Sequence, residues 1–182
     1  MKGKLIVISA PSGAGKTTVI KRLLSAHPGF VLSVSYTTRK RRPSEKDSVD
    51  YFFVSESSFK SKIDNKELLE WAIVYGNYYG TPLSPIENWL KKGNTVILDV
   101  DTVGAKNVKD KFPDAKLIFI LPPSREELEK RLIKRGENRG KDLDTRLLSA
   151  ENELRKKDLY DYCVTNDGLD DVLKEIESII NA

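Results

Sequence analysis

Short continuous apolar runs alternate along the chain with stretches in which apolar residues recur every three or four positions. The runs Leu5 to Ser9, Thr95 to Val100, Lys116 to Leu121 and Tyr162 to Thr165 have the continuity of strands covered on both faces. The helical period predicts helices near 16–26, 103–112, 124–135 and 168–180. Strands and helices in that alternation read as an α/β fold, a parallel sheet with covering helices. Segment 35–90 breaks the rhythm. It holds most of the tyrosines and both tryptophans, and alternating pieces such as Asp50-Tyr-Phe-Phe-Val54 look like small antiparallel strands. This segment reads as an insertion that binds a second substrate. The stretch Arg135-Gly-Glu-Asn-Arg-Gly-Lys-Asp142 is polar, rich in Gly and Arg, and falls between two helical patterns, a composition suited to a mobile lid. The organisation expected is one domain, with a core of 1–34 and 91–182, an insertion of about 35–90 and a lid of about 135–146.

Between the first strand and the first helix stand Ala10, Pro11, Ser12, Gly13, Ala14, Gly15, Lys16 and Thr17, with Thr18 behind them. That placement is the one a phosphate-binding loop needs. Gly13 and Gly15 let backbone N–H groups turn toward phosphate oxygens, and the helix N-terminus adds its partial positive charge. Lys16 can reach the β and γ phosphates while the Thr17 hydroxyl ligates Mg²⁺. The strict pattern has Gly at position 10, where this chain has Ala10. A nucleotide is therefore the first ligand expected.

A chain of 182 residues can bury roughly 70% of its unfolded surface. With 39% hydrophobic and 32% charged residues, it falls outside the disordered and membrane-embedded classes, and no apolar run reaches the ~18 residues a spanning helix requires. With only Met1 to Lys4 ahead of the first strand no signal peptide is expected, and Cys163, the single cysteine, can form no internal disulfide. A cytoplasmic location is expected, with no membrane partner. His27 is the only histidine and falls at a helix end, which suits a C-terminal capping place better than catalysis. The net charge of +4 comes from 31 basic and 27 acidic residues that interleave along most of the chain. The one basic cluster, Arg39-Lys-Arg-Arg42, suits a second phosphate subsite better than a nucleic-acid patch.

Several motifs outside the phosphate loop resemble those of the guanylate kinase family. They are Ser33-Val-Ser-Tyr-Thr-Thr-Arg39 with Arg42, Asp50-Tyr-Phe-Phe-Val54, Leu69-Glu-Trp-Ala72, Gly76-Asn-Tyr-Tyr-Gly-Thr81, Ile97-Leu-Asp-Val-Asp101 and Leu121-Pro-Pro-Ser124. The resemblance spans nearly the whole chain, in the family's order. It implies a P-loop nucleoside monophosphate kinase that transfers a phosphoryl group from ATP to GMP with Mg²⁺, in purine nucleotide metabolism. It also implies that Arg39, Arg42, Tyr51 and Tyr79 hold the GMP phosphate. Glu70 would read guanine N1–H and the 2-amino group, with Ser35 and Thr81 near O6 and N7. Asp99 and Asp101 match acids near metal and substrate, Asp99 beside the metal with Thr17 and Asp101 beside GMP. On the ATP side, Arg131, Arg135 and Arg146 match arginines that close on the transferring phosphoryl group beside the catalytic Lys16 and Arg39. Asn166 and Asp167 match a loop beside adenine. The bland readings are an i, i+4 pair of Arg131 with Glu127, an ordinary turn at Asn166-Asp-Gly168, a surface carboxylate at Glu70, and packing for Trp71 and Trp89.

A phosphate monoester nucleophile is already ionised at neutral pH, so the implied reaction needs no general base, only positioning and charge. The chain departs from the family pattern at Tyr36, Ser44, Ser48 and Val103, from which altered loop stiffness or modest affinity changes are expected. Three other functions compete. A noncatalytic guanylate-kinase-like interaction module would be expected to lose Lys16 and to sit beside other domains. A P-loop kinase of a sugar phosphate is opposed by Glu70, Thr81 and the tyrosines, and a nucleic-acid binder would have to use residues 39–42.

Overall fold

A computed structural model of the chain describes residues 3–74, 76–134 and 141–182. It forms two compact units, Met1–Leu5 with Gly29–Ala115 and Ile6–Pro28 with Lys116–Ala182. The larger sheet is the parallel one the apolar runs predict. Its strands are β1 (Lys4–Ser9), β2 (Phe30–Ser33), β7 (Thr95–Asp99), β8 (Lys116–Leu121) and β9 (Tyr162–Thr165), in the order β2-β7-β1-β8-β9. β1 pairs with β8, β2 with β7 and β8 with β9, all parallel. Ile6 to Ile8 and Ile118 to Ile120 are wholly buried, as strands covered on both faces require.

The helices include the four expected, α1 (Lys16–Ala26), α4 (Thr102–Lys111), α5 (Arg125–Lys134) and α7 (Leu169–Asn181). α6 (Lys141–Leu154) follows the polar stretch expected to lie between two helical patterns, and two more, α2 (Glu56–Asp64) and α3 (Leu83–Lys91), carry no apolar period that marks them. Each amphipathic helix buries one stripe: Val19, Ile20 and Leu23 in α1, and Val172, Ile176, Ile179 and Ile180 in α7. Leu128 and Leu132 of α5 pack with Ala150 of α6.

The first unit also holds a second, mixed sheet of β3 (Tyr36–Thr37), β4 (Phe52–Phe53), β5 (Leu68–Val74) and β6 (Asn77–Pro82), in the order β4-β3-β6-β5. β5 and β6 are antiparallel, as are β3 and β6, but β4 runs parallel to β3. The expectation of antiparallel strands thus holds for the hairpin and fails for Phe52–Phe53. The intervening residues 38–51 return the chain to the same end of β3, which a two-residue hairpin would not do. β2 went unrecognised because its first three residues are only half-buried at the sheet edge.

Candidate functional site

Between β1 and α1 in the second unit, Gly13 (φ +93°) and Gly15 (φ +97°) take the left-handed backbone region. Gly15 is the N-cap of α1, no side chain caps that helix, and no acid lies in its first turn. By contrast α2 is capped by Ser55 and opens with Glu56, and α4 is capped by Asp101. With no side-chain cap and no first-turn acid, the partial positive charge of the α1 terminus suits an external anion. Lys16 and Thr17 form the first turn. Asn166, 9% exposed, braces the loop by donating from Nδ2 to the Ala14 carbonyl at 2.6 Å, and a Cβ on Gly15 would run into that nitrogen. A cleft of about 500 Å³ is lined by Gly13, Gly15, Thr18, Arg131, Asn166 and Asp167, among others. Arg131 makes the i, i+4 pair, Nε to Glu127 Oε1 at 2.8 Å, and lines the cleft as well.

In the first unit the β5–β6 register sets Glu70 opposite Thr81. The Thr81 hydroxyl donates to Glu70 Oε1 at 2.5 Å, and Ser35 Oγ lies 3.5 Å from the same Thr81 oxygen. With the Thr81 proton given to Glu70, Ser35 is the donor in the second contact. All three are buried. Burial lifts the Glu70 carboxyl to about 7; the Thr81 hydrogen bond opposes the lift, the Asp101 charge adds to it and the Lys111 charge opposes it. The Glu70 carboxyl is therefore partly protonated at neutral pH. Asp101 Oδ1 accepts from the Gly104 N–H at 2.7 Å as the α4 cap.

Tyr79 precedes Thr81 by two residues on β6 and so shares its face. Its hydroxyl accepts from Arg39 Nε at 3.1 Å. Arg39 Nη1 also donates to the Lys40 carbonyl at 2.8 Å and to Glu45 Oε2 at 3.0 Å, and Nη2 donates to Glu45 Oε1 at 2.7 Å. The guanidinium lies 5.5 Å from the Tyr51 ring centre and 5.8 Å from that of Phe53, while Tyr51 and Tyr79 meet edge to face at 5.8 Å. Burial, then the Asp99 charge, pushes the Tyr51 hydroxyl well above its ordinary range. Glu45 also accepts the Arg42 N–H at 2.8 Å. Burial raises the Glu45 carboxyl, but the Arg39 and Arg42 hydrogen bonds outweigh it and hold it below the usual range.

The guanylate kinase family model matches residues 2–182. A guanylate kinase of Prochlorococcus marinus is 48% identical over 179 residues, covering 98% of this chain and 97% of the relative. One from Clostridium perfringens is 50% identical over 181 residues, covering 100% of this chain and 84% of the relative. The chain belongs to the guanylate kinase family. The solved guanylate kinase of Anaplasma phagocytophilum is similar at a TM-score of 0.84 and 33% identity, over 99% of this chain and 85% of that one. A shikimate kinase of Bacteroides thetaiotaomicron, 13% identical with a TM-score of 0.55 over 98% of this chain and 99% of that one, shares the fold alone.

Of the residues that the guanylate kinase resemblance picked out, Ser35, Glu70, Thr81 and Asp101 form one polar cluster, and Arg39, Tyr51 and Tyr79 another. Arg42 is exposed, and its backbone N–H donates to Glu45 Oε2. Arg146 lies on α6, and Arg135 and the lid stretch 135–140 lie outside the described residues. From 141 onward the expected lid is helical. His27 caps α1 as expected, and its Nε2 lies 2.8 Å from Glu177 Oε1 on α7. Trp71 corrects the packing assignment: it touches the Tyr78 ring yet is 41% exposed, because it follows inward-facing Glu70 on β5. Ser48, where the family commonly has Gly, sits at φ +62°, a conformation costly for serine. Sequence reasoning missed Glu45, Gly104 and the bracing role of Asn166. An acid three residues beyond a basic cluster and an isolated glycine in a helical pattern were the signals available.

Proposed function

We propose that the two constellations divide the substrates of an ATP:GMP phosphotransferase between them. The chain is an enzyme, a nucleoside monophosphate kinase, and its reaction is ATP + GMP to ADP + GDP. The observation that carries the base assignment is the buried line of Ser35, Thr81 and Glu70, polar groups set where a core would otherwise be apolar. An ionised Glu70 accepts from guanine N1–H and the 2-amino group, a pair adenine does not offer, and Ser35 and Thr81 serve O6 and N7. Arg39, Arg42, Tyr51 and Tyr79 take the GMP phosphate, with Asp101 beside the nucleotide. Four of the five N–H donors of Arg39 are engaged within the protein, so a bidentate grip on phosphate requires Glu45 to yield.

ATP lies along residues 10–18 with Asn166 and Asp167. Lys16, Arg39, Arg131, Arg135 and Arg146 supply positive charge to the transferring phosphoryl group. Mg²⁺ fits the oxygen donors assigned to it, the Thr17 hydroxyl and the Asp99 carboxylate, partly through water. The ion would supply charge neutralisation to the transferring phosphates, with Thr17 and Asp99 as the residues that would hold it. The protein's own residues align two polyanions, and the GMP phosphate oxygen attacks without a general base.

We assign residues 1–182 to a single guanylate kinase-like domain, with core 1–34 and 91–182, GMP-binding segment 35–90 and lid 135–146. The protein works in the cytoplasm on small molecules, without nucleic acid or membrane. No helix among the described residues is long and apolar enough to cross a membrane. The test is ADP release with GMP, AMP, CMP and UMP at one concentration. GMP should exceed AMP by ~10⁴ in kcat/KM, since adenine leaves a buried carboxylate unpaired. Glu70→Gln should cut GMP activity and narrow that gap at unchanged ATP KM. Unaltered selectivity would remove Glu70 from base reading.

A further inference from the structure

One face of α4 is built against the strand that carries Glu70. Asp101, Gly104, Val108 and Lys111 follow each other at the three- and four-residue spacing of a single helix face. Asp101 caps the helix beside Glu70, Val108 is fully buried, and Lys111 Nζ donates to the Leu69 carbonyl, adjacent to Glu70 in the chain. Gly104 is the point of closest approach. A Cβ there would lie 2.7 Å from Glu70 Oε2, 3.1 Å from Glu70 Cδ and 3.1 Å from Val100 Cβ. Its backbone is helical, so conformation does not call for glycine, and alanine is the better helix former at such a position. The space above Gly104 therefore answers to the Glu70 carboxylate rather than to the helix.

We infer that Gly104 is a positioning residue for base selection, its missing side chain setting the depth at which the Glu70 carboxylate is held. The inference rests on the reading of Glu70 as the residue that recognises guanine. Oε1 is fixed by the Thr81 hydroxyl while Oε2 rests on Gly104, so the carboxylate is held from two sides in the plane that guanine's two donors must meet. A methyl group at 104 presses hardest on the end of the Glu70 side chain, at 2.7 Å, and less closely on Val100 Cβ, at 3.1 Å. The disturbance falls on the carboxylate's position and leaves the fold in place.

Gly104→Ala, Glu70→Ala and the double variant decide the matter, with kcat/KM for GMP and AMP, the ATP KM and thermal melting as readouts. Gly104→Ala should lower kcat/KM for GMP at least tenfold, mostly through KM, and shrink the GMP to AMP ratio, at an ATP KM within twofold and an undiminished melting temperature. In the Glu70→Ala background the same substitution should change GMP use less than twofold, because no carboxylate remains to be displaced. A merely structural glycine would give the same loss in both backgrounds, and that result overturns the inference. So does a Gly104→Ala protein with wild-type selectivity. If Gly104→Ala fails to fold while the double variant folds, the clash with the carboxylate is upheld; failure of both overturns it. Unchanged selectivity in Glu70→Ala alone removes the base reader and the inference with it. Altered selectivity there with no effect of Gly104→Ala removes the inference only.

Discussion

In the unfolded chain Glu70 titrates near 4.5, and in the folded protein burial lifts it to about 7. Between those values the folded state keeps a proton that the unfolded state has lost. The contribution of Glu70 to stability is thus fully present below pH 4.5 and is lost as pH rises through 7. A lift of that size corresponds to about 3 kcal/mol. Glu70→Gln, which stays neutral, should melt higher than the parent at pH 8, with the difference closing toward pH 4.5, even as guanine selectivity falls. Thermal melts of both proteins across that range check it, and equal melting at pH 8 would contradict the desolvation argument. For activity the sign reverses, because only the ionised carboxylate accepts both guanine donors. The GMP kcat/KM should decline as pH drops below about 7, and this limb should be missing from the residual activity of Glu70→Gln. The residue that confers selectivity is therefore one that the fold tolerates at a cost.

At the scale of elements, α2 ends in a Schellman motif: the Lys66 N–H bonds to the Ile63 carbonyl at 2.9 Å and the Glu67 N–H to the Lys62 carbonyl at 3.0 Å. The C′ position is Lys66 at φ +57°, where glycine is the residue without a steric penalty. Lys66→Gly should stabilise the protein by about 0.5–1 kcal/mol, read as a raised urea midpoint at an unchanged slope. The Lys62–Glu67 ion pair at 3.1 Å, which helps close the same turn, does not involve the Lys66 side chain. The elements legible in the sequence were those with a complete apolar signature, such as β1 and β8, which lie inside the sheet. Edge strand β2 is half-exposed, and α2 buries only Phe59, so neither carried a periodic signal strong enough to read. The short strands β3 and β4 owe their pairing direction to the loop between them, which no local pattern encodes.

Across the whole molecule, the site was legible where one residue type carries the chemistry and illegible where the structure pairs residues. Gly13, Gly15, Glu70 and Thr81 could be named from motifs. The hold of Glu45 on Arg39, six residues apart in one loop, and the tertiary fit of Glu70 over Gly104 are contacts that spacing does not announce. Every residue proposed for GMP belongs to the first compact unit, and the loop residues 10–18 with Arg131, Asn166 and Asp167 belong to the second. Loss of a phosphate-loop charge should therefore be separable from GMP recognition. Lys16 opens α1 in a first turn that holds no acid and at a terminus with no side-chain cap, so its ammonium adds to the positive end of the helix dipole. Lys16→Ala should lower kcat by at least ~10³-fold, because the charge of the transferring phosphoryl group is no longer met as it develops. GMP affinity, measured by calorimetric titration without ATP, should stay within about twofold, and stability within about 0.5 kcal/mol, since no core contact is removed. A variant that keeps more than a tenth of the parent's turnover would detach Lys16 from catalysis. Weakening of GMP binding to the same degree as turnover would instead mean that the two substrates are not divided between the units as proposed.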